Sequence, residues 1–487
     1  MVSRPRTPHT LLFILLLIVA AVLRVQVIRA IPDFFGPGDP AIYFQMARGT
    51  LHHGWPRMEF IHHFLARPPG IVHAEDYYEP AFGYLVAPAL LVGGEKPAAA
   101  AAVSLVFGLL AVFLVWRLAR RHGPDVALIA AAIVAFEPWS IYYSGLLMKE
   151  ATVTVVVLAF LELLRRGAGG SDPPGRAGLV LGAATVAAGL LQYELIPIAG
   201  LAGIVVLAVN RRAALPGYLL GAGLCLAALT ALTWVLIGVP ISAKYAFALG
   251  QSLGDPDRLA PVRDFGQSLR ALFPFRYIGW AIVSAWYPPL ILLAALGAAA
   301  ASVSRVERTI LLAFGAAFLC LHAIPQDLWC RDFIPMTAVL ATPAALAFSR
   351  AAPWRARTWS APVAWAMALG LAVNFWLLLP YPAIYLDAPY PNYEIERAHR
   401  QRVGDWLRRS VPPGPVLAEV PAEIALYSGF PAVALPTLAR QGTLERLAAR
   451  YRVRYLLVEP GALPDGMLRT LHLRAVGECE GSRLFSF

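Results

Sequence analysis

The chain is poor in charge. Only 15% of its 487 residues are Asp, Glu, Lys or Arg, where a soluble globular chain carries about a quarter. It has four cysteines, Cys225, Cys320, Cys330 and Cys479, with no zinc or redox spacing among them. No tandem repeat, low-complexity tract or nucleotide-binding glycine loop is present. These shortages exclude an ordinary cytosolic enzyme, a disulfide scaffold, a repeat array and a disordered chain. Hydrophobic residues reach 58% and the mean hydropathy is +0.61. That apolar content exceeds what one soluble core needs, so the chain reads as a polytopic membrane protein.

A helix that crosses a hydrocarbon core of ~30 Å needs about 20 apolar residues. That ruler predicts about eleven spans, near 10–30, 97–116, 125–138, 146–164, 177–191, 195–209, 216–239, 278–301, 309–324, 332–349 and 360–380. The first has basic residues before it, as a signal peptide would, but its apolar run is long. Arg24, Gln26 and Arg29 follow with no small-residue cleavage site, so it reads as a retained anchor.

Basic residues gather in cytoplasmic loops. With the N-terminus inside, the alternate loops hold Arg117, Arg120 and Arg121; Arg165, Arg166 and Arg176; Arg211 and Arg212; Arg305 and Arg308; Arg350, Arg355 and Arg357. Adding Arg4 and Arg6 gives fifteen basic residues against three acids, Asp125, Asp172 and Glu307. That excess of twelve accounts for the formal charge of +11. The basic balance is therefore a topology signal and not a nucleic-acid surface. The C-terminus then falls outside, in a multi-pass protein of the cell (inner) membrane. Cys330 and Cys479 both fall on the outer side, where a disulfide persists if it forms.

Three segments face outward: 31–96, 240–277 and 381–487. The organisation expected is a membrane helical bundle over 1–380, including the outer loop 31–96, and a small extracytoplasmic α/β domain over 381–487. In the tail, 395–409 and 440–451 read as amphipathic helices, and Val416–Val420, Val453–Glu459 and Arg483–Phe487 as short strands.

Ionisable residues near the apolar band mark function. In the first outer loop, Asp39 follows Gly-Pro turns and precedes Pro40, which also suits a helix N-cap with proline at the first helical position. His52, His53, His62 and His63 lie in the same loop. Adjacent histidines do not project onto one face, so interfacial histidines are a better reading than metal ligands. Lys149 and Glu150 open a short span, Gln192-Tyr193-Glu194 places a carboxylate at another outer end, and Arg331-Asp332 opens a later span. Carboxylates and cations from four separated segments are thus expected at one membrane depth.

Taken together these residues resemble an integral-membrane glycosyltransferase of the GT-C fold, of the protein-mannosyltransferase and aminoarabinose-transferase type (family 39). The resemblance rests on Asp39, Tyr43, Ala47 and Arg48 after a first span, and on the re-entry at Glu79-Pro80. It continues through Pro138, Ser144 and Glu150, then Arg331, Phe333 and Pro335, and ends in a small outer α/β domain. The chain departs from that pattern at Pro40, where the family often has an acid, and at Gln192-Tyr193-Glu194, where many members carry an arginine.

The resemblance implies a sugar donor carried on a polyprenyl phosphate or diphosphate, with its tail in the bilayer. Its anionic leaving group needs cations, for which Lys149 and Arg331 are the candidates. An acceptor hydroxyl, on a lipid, polysaccharide or protein, needs a base as it attacks the anomeric carbon, and Asp39 is the candidate. In-line attack would invert that carbon. Tyr43, Glu79, Glu150 and Glu194 are left for substrate binding. No tight carboxylate pair singles out a metal, so no cofactor is assigned and a divalent cation stays open. A transporter or flippase of a lipid-linked or polar solute is the alternative. Transporters usually show paired repeats and broken helices near the midplane, whereas these charges lie at outer ends.

Overall fold

The computed structural model describes residues 8–30, 39–62, 70–74, 78–170, 172–237, 290–291, 293–299, 302–322, 334–351, 393–436, 441–471 and 473–487. The expected span 360–380, the loop 240–277, most of 278–301 and the residues Arg331 and Cys330 lie outside them. The chain forms two compact units.

The first unit is helical. It comprises α1 (Pro8–Ala30), most of α4 (Pro97–Ala119), α5 (Pro124–Ala135), α6 (Pro138–Ser144), α7 (Glu150–Gly169), α8 (Pro174–Ala188), α9 (Leu195–Asn210) and most of α10 (Leu215–Ile237). Two further helices follow, α11 (Arg305–His322) and α12 (Ile334–Ala351). Proline at the first positions starts α5, α6 and α8, where its missing N–H and fixed φ cost nothing. The expected span over 125–138 accordingly breaks at Glu137, whose backbone is extended (φ −65°, ψ 120°) before Pro138. Among the described residues, three helices are long and apolar enough to cross a membrane, His9–Arg29, Pro97–His122 and Arg212–Val235. Shorter apolar helices accompany them, among them 124–135, 195–210 and 334–349.

Alanines and valines fill the interior of this unit, with Ala20, Val112, Ala127, Ala131, Ala341 and Ala345 all buried. Small side chains let helix backbones approach where apolar lipid gives no hydrophobic drive between helices. One close backbone approach joins α8 and α10. A Cβ on Gly178 would sit 2.1 Å from the carbonyl oxygen of Ala214, and one on Gly182 2.1 Å from that of Tyr218. Gly217 and Gly221 answer from α10, at 2.3 Å from Gly175 O and 2.2 Å from Leu179 O. Outward, Leu11, Leu15, Ile18, Leu220, Leu224 and Val235 stay exposed, as lipid-facing positions do.

The second unit mixes helices and a sheet. It contains α2 (Asp39–His53), α3 (Pro80–Gly93), β1 (Arg57–Met58), β2 (Phe60–Ile61) and β3 (His73–Ala74) from the first half of the chain. From the tail come α13 (Tyr393–Ser410), β4 (Val416–Ala418), α14 (Pro421–Ser428), β5 (Ala432–Ala434), α15 (Gln441–Tyr451), β6 (Tyr455–Val458), α16 (Asp465–Thr470), β7 (Arg474–Cys479) and β8 (Ser482–Ser486). The sheet order is β2-β5-β4-β6-β8-β7, parallel from β2 to β6 and antiparallel thereafter. The helices expected at 395–409 and 440–451 and the strands near 416, 455 and 483 are present. Two strands and two helices that the sequence did not signal, β5, β7, α14 and α16, complete the tail.

One strand of that sheet, β2, comes from the loop after the first span. Phe60 pairs with Ala432 and Ile61 with Val433. Ile61 then enters the same core as Leu417, Val433, Leu456 and Val458. Cys479 is a free thiol, and its expected partner Cys330 is outside the described residues.

Candidate functional site

Asp39 is the first residue of α2 and is half-buried. Pro40 follows it at the position expected for a helix start. Tyr78 Oη donates a hydrogen bond of 2.9 Å to Asp39 Oδ1. One turn along α2, Tyr43 is 1% exposed, and its ring meets Tyr78 edge-on at 5.7 Å and Phe82 at 5.1 Å. Glu79 lies between Tyr78 and α3. It is 2% exposed, in extended backbone before Pro80, and its side chain makes no cap hydrogen bond to the helix. Packing of α2 on α3 therefore gathers Asp39, Tyr43, Tyr78 and Glu79 in one unit. Gly83 permits that packing, because a Cβ there would already touch Met46 Cβ at 3.3 Å.

His62 belongs to this cluster. Burial pushes its imidazole below the ordinary value of 6.5, and the charge of Asp39 pulls it part of the way back. The imidazole is thus the neutral neighbour of a carboxylate near pH 7.

Farther along α2, Arg48 and His52 both reach Glu95, at 2.7 Å and 2.6 Å. Burial raises the Glu95 carboxyl, but hydrogen bonds and charge from His52 and Arg48 outweigh it and hold the group below its ordinary value. Those two side chains are engaged in an ion-pair cluster, separate along the helix from Asp39. Among the described residues, no group of three or more His, Cys, Asp or Glu side chains is arranged to hold a metal ion.

The other candidates belong to the helical unit. Lys149 is the N-cap of α7 and Glu150 its first residue, 7% exposed. Glu194 is the N-cap of α9 and is exposed. Short connections make α7 and α9 run the same way with α8 returning between them, and all three pack together. Lys149, Glu150 and Glu194 therefore share one end of this bundle, where helix N-termini favour anions. Arg331 lies outside the described residues.

A cavity of about 80 Å³ sits at the opposite end of α7, lined by Leu158, Leu161, Ile310, Val339 and Leu346. Arg121, Glu162, Arg165 and Glu307 line it as well, with Arg121 on Glu307 at 2.8 Å and Arg165 on Glu162 at 2.8 Å. None of the candidate residues lines it.

The sequence reading missed Tyr78, His62 as a neighbour of Asp39, and a charged network around Arg24. Arg24 carried a signal, since a guanidinium inside a membrane span requires partners. Tyr78 carried none beyond its place one residue before Glu79-Pro80.

Residues 73–236 match the family described as dolichyl-phosphate-mannose-protein mannosyltransferase. The structure is similar to that of ArnT from Cupriavidus metallidurans bound to undecaprenyl phosphate, at 16% identity and a TM-score of 0.58, over 97% of both chains. It is also similar to the apo oligosaccharyltransferase of Archaeoglobus fulgidus, at 16% identity and a TM-score of 0.59, over 93% of this chain and 70% of that one. No curated protein matches by sequence. The fold is that of the GT-C membrane glycosyltransferases.

Proposed function

We propose that this membrane glycosyltransferase of the GT-C class moves a sugar from a polyprenyl-phosphate carrier to an acceptor hydroxyl at the outer membrane face, with inversion. The observation that carries the proposal is the setting of Asp39. It is a half-buried carboxylate at a helix start, oriented by Tyr78 and flanked by buried Tyr43 and Glu79. The family match over 73–236 and the likeness to a chain crystallised with undecaprenyl phosphate support a lipid-linked donor.

In the reaction, the acceptor O–H gives its proton to Asp39 Oδ2 while its oxygen attacks the anomeric carbon. The bond from that carbon to the phosphate oxygen breaks, and the electron pair leaves with the polyprenyl phosphate. Lys149 and Arg331 neutralise the growing negative charge on the phosphate. Asp39 then returns its proton to water. The Tyr78 hydrogen bond fixes Oδ1 and so sets where Oδ2 points. Tyr43, Glu79, Glu150 and Glu194 bind the substrates, the carboxylates accepting from sugar hydroxyls.

On this reading the N-terminus is cytoplasmic and 381–487 belongs to the outer face, with the bundle over 1–380. The acceptor is a lipid, a polysaccharide or a protein hydroxyl.

Turnover of a donor labelled in its sugar tests the proposal. Membranes with the wild-type chain should transfer label to a non-donor product and release free polyprenyl phosphate. Movement of intact donor across the bilayer with no bond cleavage would instead make the chain a flippase.

A further inference from the structure

Arg24 is wholly buried, at 0% exposure, within the apolar helix α1. Its Nε donates to Ser144 Oγ at 2.8 Å and its Nη2 to Ser140 Oγ at 3.1 Å. Its Nη1 donates to the carbonyl oxygens of Ala20 at 3.1 Å and Ala135 at 3.2 Å. Glu137, also at 0% exposure, lies within electrostatic reach and accepts from the backbone N–H of Ser140. Among the described residues, every partner beyond its own helix thus falls between residues 135 and 144.

That stretch leads directly to Lys149. A second fastening holds its far end. Ser104 Oγ, on α4, donates to Met148 O at 2.7 Å, and the Met148 N–H donates back to Ser104 Oγ at 3.2 Å. Two glycines let the layers close. A Cβ on Gly108 would come 2.7 Å from Ser144 Cβ and 3.0 Å from Arg24 Nε. One on Gly145 would come 2.5 Å from Val27 Cβ. Between these fastenings, residues 145–149 are not helical, so no helix ladder of their own fixes where α7 begins.

A buried charge cluster is a poor way to gain stability, since well-packed apolar side chains often serve as well or better. What it supplies is fixed geometry: a planar fork holds several acceptors at set angles, which a lysine ammonium cannot do.

We infer that Arg24 and Ser104 are positioning residues for the donor site: acting through Ser140, Ser144 and Met148, they set the place of Lys149 and Glu150 at the start of α7. The inference rests on the assignment of Lys149 to the donor phosphate.

The test uses the full chain with Arg24→Lys, Ser104→Ala and, as a milder variant, Ser144→Ala. Donor and acceptor titrations should show donor KM raised about tenfold by Arg24→Lys while acceptor KM stays within about twofold. A parallel rise in both, or no change in variants that still purify as folded protein, overturns the inference. A second measurement needs no donor. In a background with Cys225, Cys320, Cys330 and Cys479 replaced by serine, Lys149→Cys is labelled with a membrane-impermeant thiol reagent. Its labelling rate should change severalfold when Arg24→Lys or Ser104→Ala is added, and an unchanged rate overturns the inference. If Lys149→Ala leaves donor KM at its wild-type value, the assignment of Lys149 falls by itself, and the labelling rate still decides whether Arg24 sets its position.

Discussion

Tyr78 Oη and Asp39 Oδ1 are joined by a hydrogen bond of 2.9 Å, and Tyr43 holds the Tyr78 ring edge-on at 5.7 Å. A hydrogen bond to the charged form of a carboxylate favours that form. Tyr78→Phe removes the donor and keeps the ring. The acid limb of the kcat/KM profile should then move to higher pH, because Asp39 holds its proton longer as pH rises. The loss at the plateau should be about 0.5–1.5 kcal/mol, roughly two- to tenfold in rate. A pH–rate profile of the variant checks both.

His62 gives a pH dependence of stability. Its folded-state pKa is lowered by burial, with Asp39 opposing, so below the ordinary 6.5 the unfolded chain binds the proton first. Stability should therefore fall as pH drops from about 6.5 towards the folded-state value, and the cost should be absent above about 6.5. Thermal unfolding between pH 7.5 and 5 measures this (about one imidazole's worth of slope). His62→Asn should flatten it over that window.

The α8–α10 contact predicts a purely structural defect. In Gly182→Ala the new methyl meets Tyr218 O at 2.1 Å and Ala222 N at 2.5 Å, both backbone atoms that cannot swing away. Overpacking of this kind costs about 1–3 kcal/mol. The variant should unfold at a lower temperature in detergent, and donor KM per folded molecule should stay near the wild-type value.

Arg331→Ala, like Lys149→Ala, should weaken donor use more than acceptor use, because both cations are assigned to the leaving phosphate. Competition by free polyprenyl phosphate checks this directly, and both variants should bind it less tightly. Equal loss for donor and acceptor would make Arg331 a packing residue.

Much of this was legible in the residues. Hydropathy and arginine placement located α1, α4 and α7–α12 to within a few residues, because a helix that meets lipid must be apolar along its length. Pro40 marked the start of α2 and Pro80 the re-entry where α3 begins, for reasons of backbone geometry alone. Asp39 was legible as a helix start and as a carboxylate set apart in an outer loop. Its neighbours were not. Tyr78 approaches from thirty-nine residues away, and nothing in a single sequence fixes such an approach. The pairing of β2 with β5 was equally hidden, since two residues, Phe60 and Ile61, carry no readable alternation. Arg24 stood in plain view as a charge in a span, but its partners Ser140 and Ser144 are ordinary residues until α6 turns them inward.

The central claim is that Asp39 takes the acceptor's proton and has no part in holding the donor. Asp39→Asn keeps the size and polarity of the side chain and removes the base. The decisive measurement compares, for that variant and the wild type, the affinity for a labelled polyprenyl-phosphate sugar and the rate of sugar transfer in a single turnover. The account predicts donor affinity within about threefold and transfer slowed by about a hundredfold or more. Transfer at a near-normal rate by a folded Asp39→Asn protein would contradict it.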